Sequence, residues 1–310
     1  MTTVPEALSN LEGMLDPADP QRMDGLRVLG YGEVSVALTW EGLPGRVLKR
    51  MSGFRDTPMV DRYQQCLGRY LPLLAAAGVA TAPTEVVPVS RDPRPPVVFL
   101  VQPLLPPEQL GNRLLAAGAG VEQLVGGVLE ALLRLRRAQR PGPPLVEVTV
   151  DAQLSNWWFP ADRDALPTLV DVGWPLVRTD GVQDLEPDLI LQSGPAPIRP
   201  FFRRAHTVER YWDDYFDPRL VTTDLLANFH KEGAADRIDD GLVTVNTWLA
   251  KHADELGSPA QVTRREVDRY YRADVRLLEF YLRVRRLDRA VHRRLGRPYD
   301  FVLPGPVRRR

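Results

Sequence analysis

Branched and apolar residues across 26–40, interrupted by a small glycine-rich stretch, alternate as a strand, a turn and a second strand would, and 46–50 repeats the pattern after Pro44 and Gly45. From Thr57 the period changes. Val60, Tyr63, Leu67, Tyr70 or Leu71, and Leu74 recur at helical steps as far as Gly78, with Thr57 as the expected N-cap and Pro58 as the first helical residue. Residues 86–89 and 97–101 predict two further strands around a loop at 90–96, while 102–107 is too rich in proline for a helix or a central strand. The pattern divides the chain there into an N-lobe (1–101), a hinge (102–107) and a C-lobe (108–310). Residues 1–24 read as a polar, proline-containing lead-in.

Beyond the hinge, 121–140 has the apolar spacing of an amphipathic helix, ended by the Pro-Gly-Pro-Pro run at 141–144. Short apolar segments at 145–150, 157–159 and 168–172 are the size of hairpin strands. After residue 183 the pattern is helical, with segments near 197–216, 218–231, 236–256 and 263–295. The predicted class is α+β: an antiparallel-sheet N-lobe with one helix, then a mainly helical C-lobe holding a small sheet.

Composition narrows the function classes. With 44% hydrophobic and 26% charged residues in 310, the chain has the balance of a soluble globular protein. Forty basic residues offset forty acidic ones, so no overall field draws it to nucleic acid. The single cysteine, Cys66, excludes an intrachain disulfide and a multi-cysteine zinc site, and its helix position predicts a buried, inert thiol. No N-terminal apolar stretch reads as a signal or a span, so a cytoplasmic location without a membrane or nucleic-acid partner is expected. Only three of the forty basic residues are lysines, at 49, 231 and 251, which makes a lysine in a chemically critical place informative.

Phosphoryl transfer from ATP needs a loop over the phosphates, a cation on them, metal ligands and a group that orients the attacking hydroxyl. Gly30 and Gly32 leave the backbone free to approach phosphate, with Ser35 following where a third glycine often stands. Lys49 comes 17 residues after Gly32 on a strand. Asp151 and Asn156 lie five apart between strand-like segments, and Asp171, followed by Val172 and Gly173, comes 15 residues after Asn156. Each motif alone reads as a turn, a cap or a surface charge. Their order and spacing together point to an ATP- and Mg2+-dependent transferase.

These residues resemble the protein-kinase-like superfamily, nearer to aminoglycoside phosphotransferases and choline kinases than to protein kinases proper, over roughly 26–215. The resemblance implies a bilobal protein-kinase-like fold, with Gly30, Gly32 and Ser35 in the phosphate loop and Lys49 on the α- and β-phosphates. It further implies Asp151 as catalytic base, Asn156 and Asp171 as magnesium ligands, and an adenine pocket beside 101–105. Pro103 has no amide hydrogen there, so Gln102 and Leu104 are the expected donors. The lean to small-molecule acceptors comes from Trp174, Pro175 and a long helical tail after Asp171, with no Ala-Pro-Glu closing an activation segment.

Two departures bear on activity. Thr149 and Val150 precede Asp151 where the family often has histidine, and the helix at 58–77 offers Gln64, beside Gln65 and Asp61, where the family places a glutamate for the lysine. A carboxamide presents a dipole where the lysine needs a full charge, so either another acid, Glu33 being nearest by sequence, fills the role or the site is less active. A pseudokinase that binds nucleotide or a protein partner is therefore the alternative to a kinase acting on a small molecule. The acidic and aromatic run at 211–217 is open between a cationic-acceptor site and an ordinary amphipathic helix, with the helix favoured. Trp157 and Trp158 read as core and surface alternating on a strand, the arginines of 283–294 as a solvated helix face, and Arg308–Arg310 as a polar end.

Overall fold

The computed structural model describes residues 2–32, 34–139, 142–162, 165–192, 194, 199–204 and 207–303. Glu33 and Arg308–Arg310 lie outside them.

The first element is a helix where a lead-in was expected. In α1 (Val4–Met14) the Thr3 hydroxyl accepts from the Glu6 amide and the Glu6 carboxylate from the Thr3 amide, a reciprocal cap that fixes the helix start. Its Leu8 and Leu11 are buried against the sheet. That sheet comprises β1 (Leu26–Tyr31), β2 (Ser35–Trp40) and β3 (Arg46–Met51). After α2 (Thr57–Ala76) and a short β4 (Ala80–Thr81), it is completed by β5 (Glu85–Arg91) and β6 (Arg94–Pro103). Its order is β1-β2-β3-β6-β5 and every pairing is antiparallel.

Two local corrections concern this part. The cap of α2 is Asp56, whose carboxylate accepts from the Met59 amide at 2.9 Å, so the helix starts at Thr57. β6 continues through Gln102 into Pro103, which pairs with Arg46 at the strand's last position, where a missing N–H costs least. Period-2 alternation in β3 sends Leu48 and Arg50 to the α1 side and Lys49 and Met51 to the other, where Met51 joins the cluster that includes α2.

On the α1 side sits a buried ionic knot. Arg50, 1% exposed, donates from Nε and Nη2 to the two Glu12 carboxylate oxygens, both at 2.7 Å. Arg91 donates to Glu12 at 3.0 Å and to Asp300 Oδ1 at 2.7 Å, while Arg50 Nη1 donates to the Asp300 carbonyl at 2.7 Å. Residues near 300 thus return from the C-terminal part and lie on the N-terminal sheet, where Val302 joins its core.

The rest is mainly helical: α3 (Gly111–Ala116), α4 (Val121–Ala138), then β7 (Val146–Val148), β8 (Trp157–Trp158), β9 (Thr168–Leu169), β10 (Val177–Thr179) and β11 (Val182–Gln183). β7, β10 and β11 form one small sheet, and β4, β9 and β8 another, with β4 parallel to β9. The short helices α5 (Asp188–Leu191), α6 (Arg199–Arg204) and α7 (Thr207–Asp213) lead to α8 (Pro218–Lys231), α9 (Ile238–Lys251), α10 (Ala253–Leu256) and the 31-residue α11 (Arg264–Arg294). The architecture is mixed α+β, an antiparallel N-terminal sheet followed by a helical part, as a bilobal chain would be.

Several side chains find structural work here. Trp157 is fully buried, and Trp158 donates to the Pro106 carbonyl at 3.1 Å. In 211–217, Trp212 and Tyr215 are buried and Asp217 caps α8 by accepting from Arg219 and Leu220 amides. Burial pushes the Cys66 thiol up to about 12. Among the described residues, no helix is long and apolar enough to cross a membrane.

Candidate active site

β3 delivers Lys49 to the junction with the helical part, where its Nζ donates to Asp171 Oδ1. Asp171 stands two residues beyond β9, and the Gly173 amide donates to the same oxygen at 3.0 Å. A Cβ on Gly173 would lie 3.1 Å from Lys49 Nζ, so this glycine leaves the room the ammonium occupies. Burial alone would raise the Asp171 pKa. The charge and hydrogen bond of Lys49 and the Gly173 amide outweigh it and hold the carboxyl below its usual range.

Asp151 arrives from the loop after β7. The backbone before it is pinned on two sides, since Tyr70 of α2 donates to the Thr149 carbonyl at 2.9 Å and Thr149 Oγ1 donates to the Tyr215 carbonyl at 3.0 Å. Asp151 Oδ1 accepts from the Gln153 amide at 3.0 Å, closing an Asx-turn, and the nearby Asn156 side chain favours the charged form of the same carboxyl. The Asn156 carbonyl accepts from Val170 at 2.8 Å, which fastens this loop to the residue before Asp171. Burial raises the Asp151 pKa most; the Gln153 amide opposes it, and the Asp171 charge adds to the rise. Lys49, Asp151, Asn156 and Asp171 therefore lie in one electrostatically connected group.

The helix residue that faces this group is Tyr63. It is buried and donates to the Gly173 carbonyl at 3.0 Å, whereas Gln64 is half-buried and Asp61 and Gln65 are exposed. Among the described residues, the anion paired with Lys49 is Asp171, with α2 attached through a neutral phenol.

In the glycine loop, the Gly32 amide donates to the Ser35 carbonyl at 2.8 Å, and a Cβ on Gly32 would collide with Ser35 Oγ at 2.5 Å. A side chain there would force the Ser35 hydroxyl to turn away. Gly30 faces open space, while Ser35 is buried and paired with Met51. At the linker, the Leu104 amide, an expected base-edge donor, is given to the Gly45 carbonyl at 2.9 Å because the β3–β6 ladder runs one residue past Pro103. The Gln102 side chain donates to Thr84 Oγ1 at 2.9 Å.

Sequence reasoning missed a second polar layer behind Asp151. Asp224 on α8 is buried, accepts from Asn228 Nδ2 at 3.2 Å and from Gln153 Nε2 at 3.5 Å, and has its pKa raised by burial and by the Asp151 charge. Lys231, its side chain 36% exposed, pairs with Asp274 of α11 at 2.7 Å, and its charge stabilises both Asp224 and Asp151 as anions. The scarcity of lysine was the one signal that marked Lys231.

A pH prediction follows from Asp224. Burial, then Asp151, raises its pKa, so the folded state holds a proton that the unfolded chain releases near 3.8. Its contribution to stability is present at low pH and is lost as pH climbs from that value to the raised one. In Asp224→Asn the difference between unfolding midpoints at acidic and at mildly alkaline pH is therefore smaller than in the parent, read by thermal denaturation across that range. An unchanged difference would show that Asp224 is not the titrating group.

Residues 10–290 match DUF6206, a family of unknown function, and the chain belongs to that family. No curated protein matches. Among solved structures, the crystal structure of WbdD is similar at 14% identity and a TM-score of 0.33 over 79% of this chain and 50% of that one. The chain spans about half the length of that protein, and a likeness this distant bears on neither fold nor function.

Proposed function

We propose, for this DUF6206 member, a phosphotransferase of kinase-like bilobal fold that uses ATP and magnesium to phosphorylate a hydroxyl on a small-molecule acceptor. The observation that supports this best is the convergence of Lys49, Asp151, Asn156 and Asp171 at one junction, Lys49 and Asp171 being 122 residues apart in sequence. The donor set suits the ligands. An ammonium has three N–H donors, so Lys49 can hold Asp171 and still meet phosphate oxygens. Asn156 has a side-chain carbonyl oxygen to offer beside the Asp171 carboxylate. Among the described residues no group of three or more His, Cys, Asp or Glu forms a ready metal site, and magnesium would complete its shell from phosphates and water. When bound, magnesium neutralises charge on the phosphates.

In this reading Lys49 orients the phosphates, and Asp151, held by the Gln153 amide, accepts the acceptor's proton. A carboxyl pushed upward by burial is a better proton acceptor than an ordinary aspartate. The second reading, a nucleotide-binding partner protein without transfer, draws on the absence of an α2 carboxylate beside Lys49.

Melting curves with and without Mg-ATP test the binding step. At a hundredfold excess over Kd a ligand of the folded state adds about 2.7 kcal/mol, a shift of several degrees. Asp171→Ala is expected to abolish the magnesium-dependent part of that shift. A parent protein that shows none at millimolar nucleotide refutes the proposal; a shift without ADP release under any acceptor supports the second reading.

A further inference from the structure

The outward face of α11 sorts its residues in a way that the phosphotransfer reading does not use. Leu277, Phe280, Val284, Leu287, Val291 and Leu295 follow at steps of three and four, and all but the half-buried Val284 are exposed, Leu287 at 68%. From Leu277 to Val291 the stripe runs about 20 Å at 1.5 Å per residue. Along one edge stand Arg269, Arg272, Arg276, Arg283 and Arg294, all exposed and separated by whole turns or near multiples of them.

The acids of the same helix point the other way. Glu266 pairs with Arg219 at 2.5 Å, Asp268 with His230 at 3.0 Å and Asp274 with Lys231 at 2.7 Å, all toward the body of the protein. Glu279 and Asp288 have side chains only 18% and 19% exposed, although Glu279 also reaches Arg283 at 3.5 Å. No acid of this helix is more than 30% exposed, whereas the arginines along this edge are exposed, so the face is predominantly basic.

We propose that this face docks on an anionic membrane surface, its apolar stripe entering the acyl boundary while the arginine edge meets lipid phosphates. Charge complementarity selects this occupant. A second copy paired antiparallel along the stripe would set one arginine edge against the other. Paired in parallel, Arg283 would need Asp288, which is turned inward beside His292. A basic, amphipathic helix lying along an interface satisfies both edges. This is attachment along a surface rather than a crossing, and it does not depend on the phosphotransfer reading.

The full chain is sedimented with vesicles of phosphatidylcholine alone and with about a third phosphatidylglycerol. Binding is expected only to the anionic vesicles and falls about tenfold or more when salt rises from about 0.1 to about 0.5 M. Phe280→Glu with Leu287→Glu, and separately Arg276→Gln with Arg294→Gln, each lower the bound fraction about tenfold or more while the melting point stays that of the parent. No binding to anionic vesicles, or binding indifferent to both double variants, overturns the proposal. So does a dimer in light scattering that Leu287→Glu dissociates, which assigns the face to a second copy, or binding only to an acidic protein.

Discussion

Replacing Asp151 with asparagine is expected to lower phosphotransfer by about 10²–10⁴-fold, the usual contribution of a positioned general base, with nucleotide affinity within about twofold of the parent. The substitution keeps the size of the side chain and removes its capacity to take a proton. It also removes a half-buried charge on which desolvation is the largest influence, so the variant should melt no lower than the parent. That separates lost chemistry from lost structure. ADP release is measured first with water as acceptor and then with a panel of hydroxylated metabolites. Unchanged release in the variant would remove Asp151 from the mechanism.

The largest effect on stability is expected at Glu12, far from that chemistry. Glu12→Gln leaves two buried guanidiniums facing an amide that can neutralise neither, and breaking a buried ion pair from one side costs about 3–5 kcal/mol. Asp300→Asn is the contrast, because its side chain is 21% exposed and the Asp300 carbonyl still serves Arg50. A loss of roughly 1 kcal/mol is expected there. Urea unfolding of both variants gives the comparison. A Glu12→Gln midpoint indistinguishable from the parent's would mean that water reaches the knot and screens it.

The elements that local patterning specifies best are those in which one face is buried. The helical steps from Val60 to Leu74 place one apolar face on a core, and the strand expected at 46–50 and the helix expected from Pro58 form within one residue of those bounds. The first helix shows the limit. Thr3 and Glu6 carry the capping spacing and Leu8, Leu11 and Leu15 a helical one, but prolines at 5, 17 and 20 suggest irregular chain. Pro5 sits in the first turn, where its missing amide hydrogen costs nothing.

The motifs around Asp151 and Asp171 are legible because each is short and lies in one stretch of chain. Asp224 was not, since a buried aspartate on an amphipathic helix resembles a solvated one until the facing loop is known. Tyr63 illustrates the same point: its helical step marks it as core, and only the partner at Gly173 reveals that it braces the loop after Asp171.

The knot beneath the sheet also sets an order of events during synthesis on the ribosome. Arg50 and Arg91 emerge with Glu12 as their shared carboxylate, whereas Asp300 lies 209 residues after Arg91. Until it is translated, the early strands carry two cations for one anion, and the nascent sheet remains short of its full cohesion.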